Sequence, residues 1–232
     1  MPEQSYGQFC PVAMATEILG TRWTILLLRE LLAGSTRFNE LRRGLPRISP
    51  ALLSQRLKEL EQAGVIERHP SEREAGVSEY HLTVMGRELE PVVMGIGRWG
   101  QRWVSSDLSL KQLDGTLLMW DMRRGLRIQE PPPVRKVIKL KFPDAPPRDS
   151  EWWLVVTPDG ATDLCKVDPG FDVDLYVMSE LRAMTAIWMG LLPFQQAVGS
   201  ERVRLTGDER LAAAFQRWLR LSPFAPVERM VA

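Results

Sequence analysis

Cysteine is nearly absent from this chain: Cys10 and Cys165 stand far apart among 232 residues, which excludes a disulfide framework. No CxxC pair and no cysteine–histidine cluster occurs, so the spacing offers no zinc site, and no metal or cofactor is expected. Histidine is equally scarce. His69 and His81 are the two present, and no nucleophile, base and orienting group can be read together around them, which argues against an enzyme. No apolar run approaches the roughly 18 residues that a membrane span requires. The opening MPEQSYGQFCPVAM lacks the basic-then-apolar pattern of a secretory signal. These absences lead us to expect a cytoplasmic protein with no membrane partner. A bulk charge of one sign is missing too, since the net charge is +1.

What is present is an ordinary globular composition, 44% hydrophobic and 25% charged, and enough length for two domains of about 100 residues each. The charge is unevenly spread. From Arg22 to Lys58, eight basic residues face Glu30 and Glu40 alone and leave a local +6. Such a concentration is either a solvated surface or the footprint of a nucleic-acid site, and the motifs around it must decide.

The periodicity predicts a short helix over residues 12–19 closed by Gly20, then a second helix with Thr21 as its N-cap and Ile25, Leu28, Leu31 and Leu32 at helical spacing. A third helix, from Phe38 to Leu45, carries Asn39, Arg42 and Arg43 behind Arg37 and is stopped by Pro46. After Arg47, the run SPALLSQRLKEL has a strong start. Ser49 can accept from unpaired amides and Pro50 fits the first helical position. At about 100° per residue, Leu53, Leu57 and Leu60 share one face, while Ala51, Gln55 and Lys58 lie opposite with Ser54 at the edge and Arg56 nearer the packed side. Gly64 ends the helix; residues 65–69 and 78–82 read as two strands around a polar tip that holds Arg73. Three helices and a hairpin make a winged helix-turn-helix. Gln55 can read adenine, Ser49 and Ser54 can donate to phosphate or base, and Arg56 and Lys58 can neutralise phosphates of double-stranded DNA.

Thr83 is expected to cap one further helix through about residue 104, whose Leu89, Val92, Val93, Ile96, Trp99 and Trp103 form an apolar surface suited to a homodimer. GIGRWG at 95–100 matches GxGxxG only formally, because it trails a helix instead of opening one after a strand. Residues 113–125 read as helix, and IQEPPPVR at 128–135 as a linker. Beyond it the period changes to two: Ile138, Leu140 and Phe142 alternate with Lys139 and Lys141, followed by strand-like runs at 152–157, 162–167 and 172–178 that read as a meander. Ser179 is expected to cap a helix, RVRLT at 202–206 to form a strand, and Asp208 to cap a last helix with Leu211, Phe215 and Trp218. The fold class is α+β. The expected domains are 1–108 for DNA binding and dimerisation, 109–130 as helical connector and Pro-rich linker, and 131–232 for ligand binding.

The run from FCPV at 9–12 through GTRWT at 20–24, RFNEL at 37–41, ISP at 48–50, LSQRL at 53–57 and YHLTVMG at 80–86 resembles the HxlR-type winged-helix transcriptional regulators of bacteria. The resemblance spans roughly residues 9–104. It implies a homodimer on a palindromic operator, with Ser49 to Lys58 as recognition helix. Some members of that family sense oxidants or electrophiles through a cysteine in the same C-P-V setting; Cys10 is either such a sensor or a small residue at the dimer seam, and the absence of a nearby resolving cysteine favours the second. Segments 168–177, 188–198 and 202–219 resemble sterol-carrier-protein-type lipid-binding domains, which implies an apolar small-molecule effector. Residues suited to such a tunnel are Trp152, Trp153, Met178, Met184 and Trp188, with Met189, Leu192, Phe194, Phe215 and Trp218, although most of them would serve equally well as plain core. A different reading of the whole chain is an apolar-ligand carrier that uses the winged helix only to dimerise.

Overall fold

The computed structural model describes residues 5–72, 74–105 and 113–231. The chain divides into two compact units, Met1–Gly97 and Arg98–Ala232. The expected boundary at 108/109 lies outside the described residues.

In the first unit, helices α1 (Pro11–Leu19), α2 (Thr24–Leu32), α3 (Phe38–Gly44) and α4 (Pro50–Gln62) precede strands β1 (Ile66–Pro70) and β2 (Ser78–Leu82), a short helix α5 (Val84–Arg87) and α6 (Glu90–Trp103), which runs past Gly97. The start of α4 follows its sequence. Ser49 Oγ accepts from the Leu52 amide at 3.2 Å, and Pro50 stands at the first position. Leu53, Leu57 and Leu60 are fully buried with Leu27, Leu28, Leu41 and Ile66, and each such leucine contributes roughly 2 kcal/mol. At the other end the chain turns through Gly64 at φ +72°, a conformation that L side chains rarely adopt.

Two local expectations fail. Thr21 does not cap α2, because Trp23 takes a left-handed conformation at φ 80° and delays the helix to Thr24; the Thr21 hydroxyl instead meets that of Thr24 at 2.6 Å. The single helix expected from Thr83 to residue 104 breaks at 88–89 into α5 and α6. Pro91 lacks the amide that would bond the Arg87 carbonyl, so the helix cannot pass through unbroken. Thr83 does cap α5, accepting from the Gly86 amide at 3.2 Å.

The two strands form an antiparallel wing, in which Arg68 lies opposite Tyr80 on one face, and Glu67 and His69 lie opposite His81 and Glu79 on the other. A short third edge joins it: the Tyr80 amide donates to the Thr36 carbonyl at 2.8 Å, and Arg37 bridges Glu79.

The second unit holds α7 (Gly115–Gly125), β3 (Lys136–Lys141), β4 (Glu151–Val156), β5 (Thr162–Cys165), β6 (Leu175–Ser179), α8 (Leu181–Trp188), α9 (Phe194–Gly199), β7 (Val203–Gly207) and α10 (Glu209–Trp218). The sheet order is β5-β4-β3-β6-β7. It is not the expected meander, since β6 crosses over to lie parallel beside β3. Alternation along a strand reveals which side chains share a face and says nothing about which strand is the neighbour. All four helices pack on one face of the sheet, against Ile138, Leu140, Trp152, Leu154, Val156 and Val177. The stretch read as a connector contributes to that core, with Leu118, Met119 and Met122 of α7 buried in it. Ser179 does not cap α8. The amide of Leu181 donates to Asp144 Oδ1 at 2.7 Å, a cap supplied from a distant loop. Asp208 caps α10 as its sequence indicates, accepting from the Arg210 and Leu211 amides at 2.9 and 3.0 Å. Among the described residues no helix is long and apolar enough to cross a membrane.

Candidate nucleic-acid interface

Helices α3 and α4, joined by residues 45–49, form the helix-turn-helix pair. With its leucines fixed inward, α4 exposes Ser49, Pro50, Ala51, Ser54, Gln55 and Lys58. The face is thin and polar. Gln55 is exposed, and its Nε2 donates to Glu59 Oε1 at 2.9 Å, which holds the amide along the helix surface. Asn39, Arg42, Arg43 and Arg47 are exposed around this helix. Arg42, Arg47 and Lys58 make no ion pair or hydrogen bond among the described residues, so their charges face solvent uncompensated.

Two of the expected cations are used inside the unit. The Arg56 side chain is only 15% exposed. Its Nε donates to the Arg22 carbonyl at 3.1 Å and its guanidinium pairs with Glu59, which ties α4 to the turn before α2. Arg37 pairs with Glu79 at 3.2 Å and Glu74 at 3.0 Å and donates to Ser71 Oγ at 3.2 Å, which fastens the start of α3 to the wing. The Ser71 hydroxyl, followed by Arg37, holds the Glu79 carboxyl below the usual carboxylate range. Arg73 lies outside the described residues. Arg68, not among the residues expected at the site, is exposed on β1 and free of ion pairs and hydrogen bonds among the described residues. Its place in VIERH, alternating with the outward Glu67 and His69, was the available signal.

Cys10 sits half-buried at the N-cap of α1 with a free thiol. The amides of Ala13 and Val12 lower its pKa. The Cys165 thiol is likewise not in a disulfide and donates to Asp163 Oδ2 at 3.8 Å.

The ten apolar residues proposed as a tunnel do not all come together. Trp152, Met184, Phe215 and Trp218 are buried in one cluster, with Trp188, Leu192 and Phe194 packed on its rim, and Met189 is half-buried at the end of α8. Trp153 belongs to a separate cluster on the other face of the sheet, with Val137 and Val155, where the Lys139 ammonium lies 4.4 Å from its ring centre. Met178 is 42% exposed on that same outer face. Strict alternation in β4 and β6 sends neighbouring side chains to opposite faces, so Trp152 and Trp153 cannot line one cavity. Among the described residues, no three His, Cys, Asp or Glu side chains are grouped to hold a metal ion.

Residues 18–108 match the HxlR-like helix-turn-helix family. The chain is 40% identical over 94 residues to the HTH-type transcriptional regulator YdeP of Bacillus subtilis (strain 168), a stretch covering 40% of this chain and 73% of that protein. It is 40% identical over 99 residues to YvaP of the same organism, covering 42% of this chain and 92% of that protein. Over 101 residues it is 36% identical to the HTH-type transcriptional regulator sll1512 of Synechocystis sp., covering 44% of this chain and 75% of that protein.

Proposed function

We propose, for a chain that belongs to the HxlR-like helix-turn-helix family of transcriptional regulators, that α4 enters the major groove of double-stranded operator DNA and that two copies bind as a homodimer. The observation that carries this is the division of α4 into a fully buried leucine face and a polar face of Ser49, Ser54, Gln55 and Lys58, flanked by the uncompensated Arg42 and Arg47. A recognition helix needs both: a rigid backing to fix its position, and donors able to reach base edges and phosphates. Gln55 supplies the base-reading amide; Lys58, Arg42 and Arg47 supply phosphate contacts.

The homodimer is supported by apolar side chains that this chain leaves uncovered. On α1 these are Val12, Met14 and Ile18; on α6 they are Val92, Ile96, Trp99 and Trp103, with Trp99 63% exposed. An apolar stripe of this size is uncommon on a monomer surface. In a dimer the two recognition helices must lie about 34 Å apart to reach successive major grooves on one side of a duplex.

Control by an apolar small molecule is the finer part of the proposal. Its support is the cluster of wide and flexible side chains over one face of the second sheet, resembling a sterol-carrier-type domain. A ligand reaching that core would displace the partly buried Trp188, Leu192 and Phe194 that pack against it. A ligand differing by about 1–3 kcal/mol in affinity for two spacings of the recognition helices would change DNA affinity roughly 5- to 150-fold.

The test is titration of the full-length protein against its own upstream DNA across a salt series. Affinity should fall steeply as salt rises; flat affinity refutes a phosphate-contacting surface. Native mass spectrometry of the same sample reports the subunit number, and any copurified apolar molecule, directly.

A further inference from the structure

The wing has two chemically opposite sides. Between α3 and β1 runs a groove of about 460 Å³ whose walls include Asn39 and Arg43 on the helix and Arg68, Ser78 and Tyr80 on the strands. Its charged lining among the described residues is Arg37, Arg43 and Arg68 against Glu40 and Glu74, three positive against two negative, or +1. Behind the wing lies a second groove of about 870 Å³, whose charged lining among the described residues, leaving His69 and His81 uncounted, is Arg37 against Glu40, Glu72, Glu74 and Glu79, one positive against four negative, or −3. Arg37, Glu40 and Glu74 border both grooves, and the strand register separates the strand side chains, since Arg68 and Tyr80 face one way while Glu67, His69, Glu79 and His81 face the other. A polyanion is attracted to the first side and repelled from the second.

Within the first groove, Arg37 is already paired to Glu74 and Glu79, and Glu40 accepts from the Thr36 and Arg37 amides. Arg68 has no such partner among the described residues. We propose that Arg68 contacts a backbone phosphate of duplex DNA, with Asn39 and Arg43 on the opposite wall of the same groove, so that the wing meets DNA through the Arg68–Tyr80 face of β1 and not through its Glu67–His69 face. This rests on the DNA-binding reading above and adds to it which surface of the wing is used, and by which residue. Arginine suits the role because its planar, permanently charged fork matches a phosphate, and each phosphate it neutralises releases condensed counterions.

The experiment uses the full-length chain and a labelled duplex of about 30 base pairs of arbitrary sequence, titrated by fluorescence anisotropy from about 50 to about 300 mM salt. Arg68→Ala should weaken binding about tenfold at the lower salt and flatten the plot of log K against log salt by about 0.9 for each Arg68 engaged, hence about 1.8 in a dimer. Arg68→Lys should keep the wild-type slope, and Glu67→Gln, on the opposite face, should leave it unchanged. A wild-type slope in Arg68→Ala overturns the proposal, and so does weaker binding at unaltered slope, because a merely structural residue releases no counterion. If Arg68→Ala melts early, Arg68→Gln, which keeps the length of the side chain, decides by the same readout. Failure of the wild-type protein to bind any duplex at any salt would instead overturn the function proposed above, so the two failures are distinguishable.

Discussion

Replacing Gly86 by alanine should destabilise the first unit, although helix propensity alone predicts the reverse. Gly86 lies in α5 with an ordinary helical backbone, so alanine there would gain up to about 1 kcal/mol. A Cβ at this position, however, would stand 2.2 Å from the Val65 carbonyl oxygen and 2.9 Å from Leu82 Cδ2. The carbonyl cannot retreat, because it accepts from the Thr83 amide at 3.1 Å and from the Thr83 hydroxyl at 3.1 Å. Relief requires α5 to move away from the base of the wing, at a cost of about 1 kcal/mol for each weakened hydrogen bond and about 1–3 kcal/mol for disturbed packing at Leu82. The net loss is about 2–4 kcal/mol. In a domain of this size that lowers the melting temperature by roughly 10–25 °C. Thermal unfolding followed by circular dichroism measures it; a Gly86→Ala protein that melts at or above the wild type refutes the close-contact argument.

Gln55→Ala should reduce discrimination among operator variants by about 1–3 kcal/mol at a single base position, read by competition binding, with little effect on the salt slope. Lys58→Ala should do the opposite, flattening the slope by about 0.9 per protomer and weakening all sequences alike. Arg56→Ala should lower stability by about 1–2 kcal/mol and leave the salt slope unchanged, since that side chain bonds the Arg22 carbonyl and Glu59; a flattened slope would place it on phosphate instead. Glu79 has a folded pKa lowered by Ser71 and Arg37, so its stabilising contribution is complete above the unfolded value and is lost as pH falls through the folded one. Melting should therefore drop more steeply between about pH 5 and about pH 3 in the wild type than in Ser71→Ala.

Much of the first unit was legible because its signals are local. Ser49, Pro50 and Gly64 fix the ends of α4 through hydrogen bonds and dihedral preferences that involve only their neighbours, and the leucine spacing fixes its buried face. The YHLTVMG motif is equally readable in physical terms, with Leu82 buried, Thr83 capping α5, and Gly86 in contact with the Val65 carbonyl. What failed in the second unit was non-local. The cap of α8 comes from Asp144, the parallel pairing of β3 with β6 depends on a long crossover, and α7 became core through contacts with strands that follow it in sequence. No pattern within a helix or strand reports such partners.

The same distinction governs the charges of the candidate site. Counting from Arg22 to Lys58 gave +6 and treated every arginine alike, but a cation attracts DNA only to the extent that the protein leaves it unpaired. Arg37 is consumed by Glu74 and Glu79, which lie far along the chain in the wing, and Arg56 by a carbonyl in the turn before α2. Both therefore hold the reading head in place, whereas Arg42, Arg47 and Lys58 carry the surface field. Arg68 lies outside the counted segment, yet β1 places it in the same groove as Arg43. The field presented to DNA is thus set by which carboxylates the fold brings to which arginines, so a variant that removes one of the two carboxylates paired with Arg37, such as Glu79→Gln, exchanges stability of the wing for additional positive charge at its base.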